Sequence, residues 1–217
     1  MRWLLHPATS QGVAIQYDWY VYLACAMFVG IFVYGCIAWC LFRYRRKPGR
    51  EAERFENNSP LEIAYVAIPL LLVIGLFIVS YAVEVPIDIA QAHPQNRVAV
   101  TAFRWSFRFA YEGTGISTVG TPERPPTLYL PLDRVTEIDL TSVDVTHSFW
   151  VPAFLFKRDA IPGMMNAFDV TPQRTGTFRG RCAQFCGLDH ALMSFRVKVV
   201  PAAAYDRFLA SGGTWMP

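Results

Sequence analysis

Arg181-Cys182-Ala183-Gln184-Phe185-Cys186-Gly187-Leu188-Asp189-His190-Ala191-Leu192-Met193 brings two thiols, an imidazole and a thioether into one short stretch, spaced C-x3-C-x3-H-x2-M. Soft sulfur donors beside imidazole select copper over hard cations. Two cysteines this close can bridge two metal ions, whereas a mononuclear blue-copper site uses one thiolate. A second histidine lies upstream in Asp144-Val145-Thr146-His147-Ser148-Phe149-Trp150. This set is enough for a dinuclear copper centre. Cys182 and Cys186 would bridge, His147 and His190 would each serve one copper, and the Met193 sulfur and a backbone carbonyl of the cysteine loop would be weak axial ligands.

Two plainer readings compete for the same residues. Cys182 and Cys186 are also spaced for a disulfide in an oxidising compartment. Two Cys and two His also suit a structural zinc site. Zinc has no use for Met193, and a disulfide has no use for His147, His190 or Met193. His6 and His93 have no such company and read as surface residues.

The rest of the composition says where such a site would sit. The chain has 217 residues, 53% of them hydrophobic, more than a plain soluble domain carries. The excess is concentrated in two uncharged runs, Trp19 to Phe42 and Ile63 to Val83. Each exceeds the roughly 20 residues a helix needs to cross a hydrocarbon core. The first run is too long and too aromatic for a cleaved secretory signal, and Pro69 in the second is tolerable within a membrane helix. Arg43, Arg45, Arg46, Lys47, Arg50 and Arg54 lie between the runs, the cytoplasmic signature of a helical hairpin. Held between two spans, this basic stretch is no nucleic-acid patch. Residues 1–83 therefore read as a membrane anchor and 84–217 as an extracytoplasmic domain, with Trp19, Tyr20 and Tyr22 in an outer aromatic belt. The net charge of +3 says little about partners, because the residues from Glu84 onward are nearly balanced. Cys25, Cys36 and Cys40 fall in the first span and are expected as buried, unpaired thiols.

Beyond Glu84 the pattern changes to alternation, which predicts a first long strand over Val98 to Phe109. Further strands are predicted at Thr127 to Leu132, Val135 to Leu140, Val145 to Val151, Asn166 to Val170, Gly176 to Arg181 and Met193 to Val200. Turn signals such as Glu112-Gly113, Pro125-Pro126 and Pro172-Gln173 separate them. Many short strands at this spacing suggest an antiparallel sandwich or barrel. A short helix over Ala202 to Leu209 closes the reading.

The cysteine loop, His147-Ser148-Phe149-Trp150-Val151-Pro152, and Lys157-Arg158-Asp159-Ala160-Ile161-Pro162-Gly163 carry a resemblance to subunit II of cytochrome c oxidase, the CuA-bearing subunit of haem-copper oxidases. The likeness runs along nearly the whole chain. That family's loop usually reads C-x-E-x-C-G-x-x-H-x-x-M, and Gln184 stands where the glutamate would be. The resemblance implies two N-terminal transmembrane helices followed by an all-β, cupredoxin-like Greek-key sandwich with the ligands on loops at one end. It implies a subunit of a bacterial plasma-membrane oxidase, not catalytic alone, that takes electrons from cytochrome c or a tethered c-type cytochrome. The haems would lie only in the partner subunit. Subunit I, with subunit III beside it, would reduce oxygen to water with proton pumping.

Residue by residue, the resemblance makes metal ligands of His147, Cys182, the Gln184 backbone carbonyl, Cys186, His190 and Met193. It makes Trp105 the tryptophan that receives electrons, expected to be exposed on an aromatic strand near the copper loops. Glu62, seven residues before Pro69, would lie at the mouth of a proton pathway, although an acid there also suits a helix N-terminus. The glutamate of the family's loop also binds Mg2+ at the subunit interface. The neutral Gln184 amide is a weaker ligand for this hard cation, which speaks against magnesium here. Met164 stands where arginine is common. Two alternatives stay open: the same module serving a nitric oxide reductase, and a thioredoxin-like copper chaperone, against which the two spans and His190 weigh.

Overall fold

The computed structural model describes residues 6–49, 57–90 and 94–214, so Arg50, Arg54 and His93 lie outside the described residues. Two long helices come first, α1 (Ser10–Arg43) and α2 (Ser59–Asp88). Both are long and apolar enough to cross a membrane, and both start on side-chain caps. Thr9 Oγ1 accepts the Gly12 N–H at 3.0 Å, and Asn58 Oδ1 accepts the Leu61 N–H at 3.3 Å. α2 runs through Pro69 without a break. Near the outer ends of the helices, Ser80 Oγ donates to Asp18 Oδ2 at 3.0 Å and stands 3.0 Å from Tyr22 Oη. Cys25, Cys36 and Cys40 are unpaired, but Cys36 and Cys40 are exposed and Cys25 only half-buried. In the chain by itself the expected burial is not met, because a two-helix hairpin covers only one stripe of each helix.

Among the described residues the remaining elements are ten strands, a 3-10 turn (Pro152–Phe154) and a short helix: β1 (Asn96–Phe103), β2 (Ser106–Tyr111), β3 (Ser117–Val119), β4 (Thr127–Pro131), β5 (Thr136–Ser142), β6 (His147–Val151), β7 (Phe156–Ala160), β8 (Asn166–Val170), β9 (Gly176–Arg181), β10 (Ser194–Val200) and α3 (Ala202–Ala210). They form two five-stranded sheets, ordered β3-β2-β1-β5-β8 and β4-β10-β9-β6-β7. This is the cupredoxin-like sandwich. It is not purely antiparallel: β1 pairs with β5, and β4 with β10, in parallel.

The expected strand over Val98 to Phe109 is in fact two. β1 and β2 form a hairpin in which Phe103 faces Ser106 across Arg104-Trp105. The buried side chains show why one strand cannot hold this stretch. Val98, Val100 and Ala102 are buried at even positions, but Phe107, Phe109 and Tyr111 at odd ones. Such a change of phase demands a turn, since successive side chains of a strand point to opposite faces. β3 and β7 have no counterpart among the expected strands; Lys157, Arg158 and Asp159 mask the alternation of β7.

Val98, Val100, Phe107, Phe109, Ile138, Leu140 and Phe168 fill the core from one sheet, and Leu128, Leu130, Phe149, Val151, Phe195 and Val197 from the other. Phe195 is the central ring. It lies 4.8 Å from the centroids of both Phe107 and Phe149, edge-on to the first and stacked on the second. Burying one such ring is worth about 1.5–3 kcal/mol. Phe195 pairs with Gly180 across β9 and β10, and the glycine leaves room for the ring.

One compact unit is Tyr17–Val83; the other joins the stretch up to Gln16 to the chain from Glu84 onward. This differs from assigning the first 83 residues to the anchor. The stretch before α1 is woven into the sandwich: Ala8 N–H donates to Ala153 O and Gln173 N–H to Ala8 O, each at 2.8 Å, and Ser10 N–H donates to Thr171 O at 3.0 Å.

Gly180 tests this packing. A Cβ there would overlap the Phe195 ring, which is buried and cannot swing away. Gly180→Ala is expected to cost about 1–3 kcal/mol by overpacking. Thermal unfolding of the full chain in detergent, followed by near-ultraviolet circular dichroism, should show a lowered Tm. An unchanged Tm would show that the ring has slack.

Candidate metal centre

Three connections meet at one end of the sandwich. The β1–β2 hairpin presents Trp105, the β5–β6 turn carries Asp144 and leads into His147, and the β9–β10 connection holds Cys182 to Met193. The last is a self-bonded loop. Cys182 N–H donates to Met193 O at 3.0 Å, His190 N–H to Gly187 O at 3.2 Å, and Met193 N–H to Asp189 O at 3.1 Å. Gly187 has φ +115, and a Cβ there would stand 3.3 Å from the Trp105 indole nitrogen. Backbone conformation and close approach therefore both call for glycine.

The six expected donors converge. Cys182 Sγ lies 3.9 Å from Cys186 Sγ, 3.9 Å from His147 Nδ1 and 3.2 Å from Gln184 O. Cys186 Sγ lies 3.4 Å from His190 Nδ1 and 3.7 Å from Met193 Sδ. Each cysteine thus faces one histidine and one weaker donor. His147, Cys182 and Cys186 are buried, with their ligand atoms within 4.8 Å of one another. Met193 is buried and His190 half-buried. The Gln184 side chain is exposed, so that residue offers the centre its carbonyl alone.

This donor set fits copper. Two thiolates, two imidazoles and a thioether make a soft, nitrogen-containing set, and zinc would leave the Met193 sulfur without a purpose. The surroundings fit as well. His147 turns Nδ1 toward Cys182 while its Nε2 stands 2.9 Å from Asp144 Oδ1, the carboxylate–histidine arrangement that orients metal-binding imidazoles.

The electrostatics follow from the crowding. Burial opposes charge on Asp144, yet hydrogen bonds from His147 and from the Val145 and Arg104 main chain hold its carboxyl well below the usual carboxylate range. Burial also opposes the His147 imidazolium, but Cys182 and Asp144 override it and raise its pKa. At Cys182 burial is again overridden, chiefly by the hydrogen bond to His147, and the thiol falls below the ordinary range. Burial and the neighbouring Cys182 charge push Cys186 up. Without a metal, the pair sheds one proton easily and keeps the other.

Trp105 lies against this cluster, half-buried rather than exposed, at a hairpin tip rather than on a strand. Its Nε1–H donates to Cys186 O at 3.1 Å. Glu62 is far along the chain in the first turn of α2, where its carboxylate accepts the Asn58 N–H at 3.3 Å and closes the helix cap. Asp144 and Arg104 were not singled out by sequence reasoning. An acid three residues before a candidate histidine ligand was the available signal for Asp144.

Comparisons with known proteins agree with this geometry. Residues 117–200 match the family described as cytochrome c oxidase subunit II, periplasmic domain. The chain is 34% identical to a probable cytochrome c oxidase subunit 2 of Streptomyces coelicolor, over 94% of this chain and 76% of that protein. It is 35% identical to its counterpart in Streptomyces avermitilis, with the same coverage. Among solved structures, the periplasmic domain of subunit II of cytochrome oxidase from Bradyrhizobium japonicum superposes with a TM-score of 0.51 at 27% identity, covering 55% of this chain and 94% of that one.

Loading this site must displace the proton held on Cys186. Because its pKa is raised, that proton is bound throughout the neutral range, so affinity for a soft metal should rise with pH. The change should be about tenfold per pH unit for each proton displaced. Competition of the full-length chain against a chelator across the neutral range measures this slope. A pH-independent affinity would show that both thiols are already ionised and the His147 ring already neutral.

Proposed function

This chain belongs to the cytochrome c oxidase subunit II family, and on that premise we propose that it is the electron-accepting subunit of a membrane-bound respiratory haem-copper oxidase. His147, Cys182, the Gln184 carbonyl, Cys186, His190 and Met193 would hold a dinuclear copper centre. Held there, copper would supply a one-electron carrier with its charge shared between the metals and the two sulfurs. The observation that carries this reading is the convergence of all six donors, with each thiol facing one imidazole.

The chain's own residues do the rest. The sandwich end and the self-bonded loop fix the donors, so that little moves when the electron arrives. Trp105 places an aromatic ring one hydrogen bond from the main chain of a bridging cysteine, which suits it to receive an electron from a docked c-type cytochrome. The two apolar helices anchor the subunit, with Arg43, Arg45, Arg46 and Lys47 on the cytoplasmic side and the sandwich outside. Subunit I, with subunit III beside it, would accept the electrons, hold the haems, and reduce oxygen to water with proton pumping. Gln184 exposes an amide rather than a carboxylate, so magnesium is not part of this reading. Glu62 enters it on the resemblance alone, since its carboxylate is engaged in capping α2.

Electron paramagnetic resonance of the full-length chain loaded with copper in detergent tests the centre. One unpaired electron shared equally by two coppers is the expected pattern, and Cys186→Ser should abolish it. A single-copper pattern from the unaltered chain would refute the dinuclear assignment. In the assembled oxidase, Trp105→Phe should keep the copper pattern and slow reduction by a c-type cytochrome roughly tenfold or more. An unaltered rate would remove Trp105 from the path.

A further inference from the structure

Asp144 is not a ligand, yet it touches both halves of the proposed electron path. Its side chain is only 21% exposed, in the turn between β5 and β6. Oδ1 stands 2.9 Å from His147 Nε2 and accepts the Val145 N–H at 2.6 Å, with Ser142 Oγ at 3.3 Å. Oδ2 accepts the Arg104 main-chain N–H at 2.8 Å and the Arg104 Nε–H at 3.3 Å. Arg104 is the residue before Trp105. From Trp105 the circuit closes through the indole N–H to Cys186 O, the Cys186 sulfur to Cys182, and Cys182 to His147.

We propose that Asp144 is the positioning residue that ties the electron-accepting hairpin to the metal centre, one oxygen orienting the His147 ring and the other holding the main chain that presents Trp105. This rests on the reading of the centre and of Trp105 given under Proposed function. The Arg104 guanidinium contributes little, because half of that side chain is exposed and surface ion pairs are weak. The main-chain N–H is the bond that matters, since it fixes the hairpin whatever the side chain does.

Only a side chain with two acceptor oxygens can serve both directions. An asparagine keeps one oxygen and replaces the other with an NH2 group, which cannot accept a hydrogen bond. Whichever way the amide turns, it loses one of the two ties. Alanine loses both. The negative charge acts as well: hydrogen-bonded to the imidazole, it makes His147 a stronger donor and favours the more positively charged, oxidised centre. Removing it should raise the reduction potential.

The test uses the full-length chain, copper-loaded, alone in detergent and assembled in its oxidase, with Asp144→Asn, Asp144→Ala, Trp105→Phe and the double variants. Both Asp144 variants are expected to raise the reduction potential and change the imidazole nitrogen hyperfine coupling. Both should also slow electron uptake from a c-type cytochrome by roughly 10–100-fold. In the Trp105→Phe background the potential and hyperfine shifts should persist, because they act through His147. The rate losses should not multiply there, because they act through Trp105. Unmoved potential and hyperfine coupling, or rate losses that multiply, would overturn the proposal. Should Asp144→Ala fail to retain copper, Asp144→Asn, which keeps the side-chain volume, decides by the same readouts. If the unaltered chain lacks the two-copper pattern, or Trp105→Phe matches its rate, the underlying reading falls, and this proposal with it.

Discussion

Two buried thiols 3.9 Å apart impose the condition that organises this molecule's outer domain. Both cannot carry charge there unless cations lie beside them, because like charges at that distance in a buried site repel strongly. Among the described residues, nothing in the apolar core of the sandwich supplies a cation. The site is therefore built at the sandwich's end, where loops can bring imidazoles and polar main chain to the sulfurs. His147 pulls the Cys182 thiol down, while burial and the Cys182 charge push Cys186 up, so the second thiol favours its proton in the absence of a metal.

Holding that arrangement requires a frame with little freedom, and the two sheets provide it. Phe195 lies at the start of β10, two residues after Met193, and its ring is locked by Phe107, Phe109 and Phe149. The core ring and the thioether donor are thus consecutive features of one strand entrance. On the other side, Phe149 follows His147 by two residues in β6, so the same rings brace both ends of the donor set. Gly180 and Gly187 serve the same economy of space: one lets the central ring sit down on β9, and the other lets an indole lie on the cysteine loop.

Much of this was legible in the amino-acid sequence, and the gaps have physical causes. The spacing of Cys182, Cys186, His190 and Met193 spells out a local loop, and local spacing survives folding intact. The two spans are equally legible because length and lack of charge are intrinsic to each segment. The hairpin at Arg104-Trp105 was missed because alternation alone does not announce a turn; the slip from even to odd buried positions does. Parallel pairing of β1 with β5 and of β4 with β10 depends on distant partners and leaves no local mark. The exposure of Cys36 and Cys40 depends on what surrounds a helix, which its own residues do not state. Asp144 belongs to the same class, because its second bond reaches a residue forty positions earlier in the chain.

Gln184 shows how the same frame tolerates change beside the candidate metal centre. Its carbonyl oxygen lies 3.2 Å from Cys182 Sγ while its side chain is exposed. The donor belongs to the main chain and is placed by the loop's own hydrogen bonds, not by the identity of the residue. The side chain faces elsewhere and is free to differ from the family pattern without disturbing the sulfurs. A substitution two positions from Cys182 and two from Cys186 therefore alters what the loop offers outward and leaves its inward face as it was.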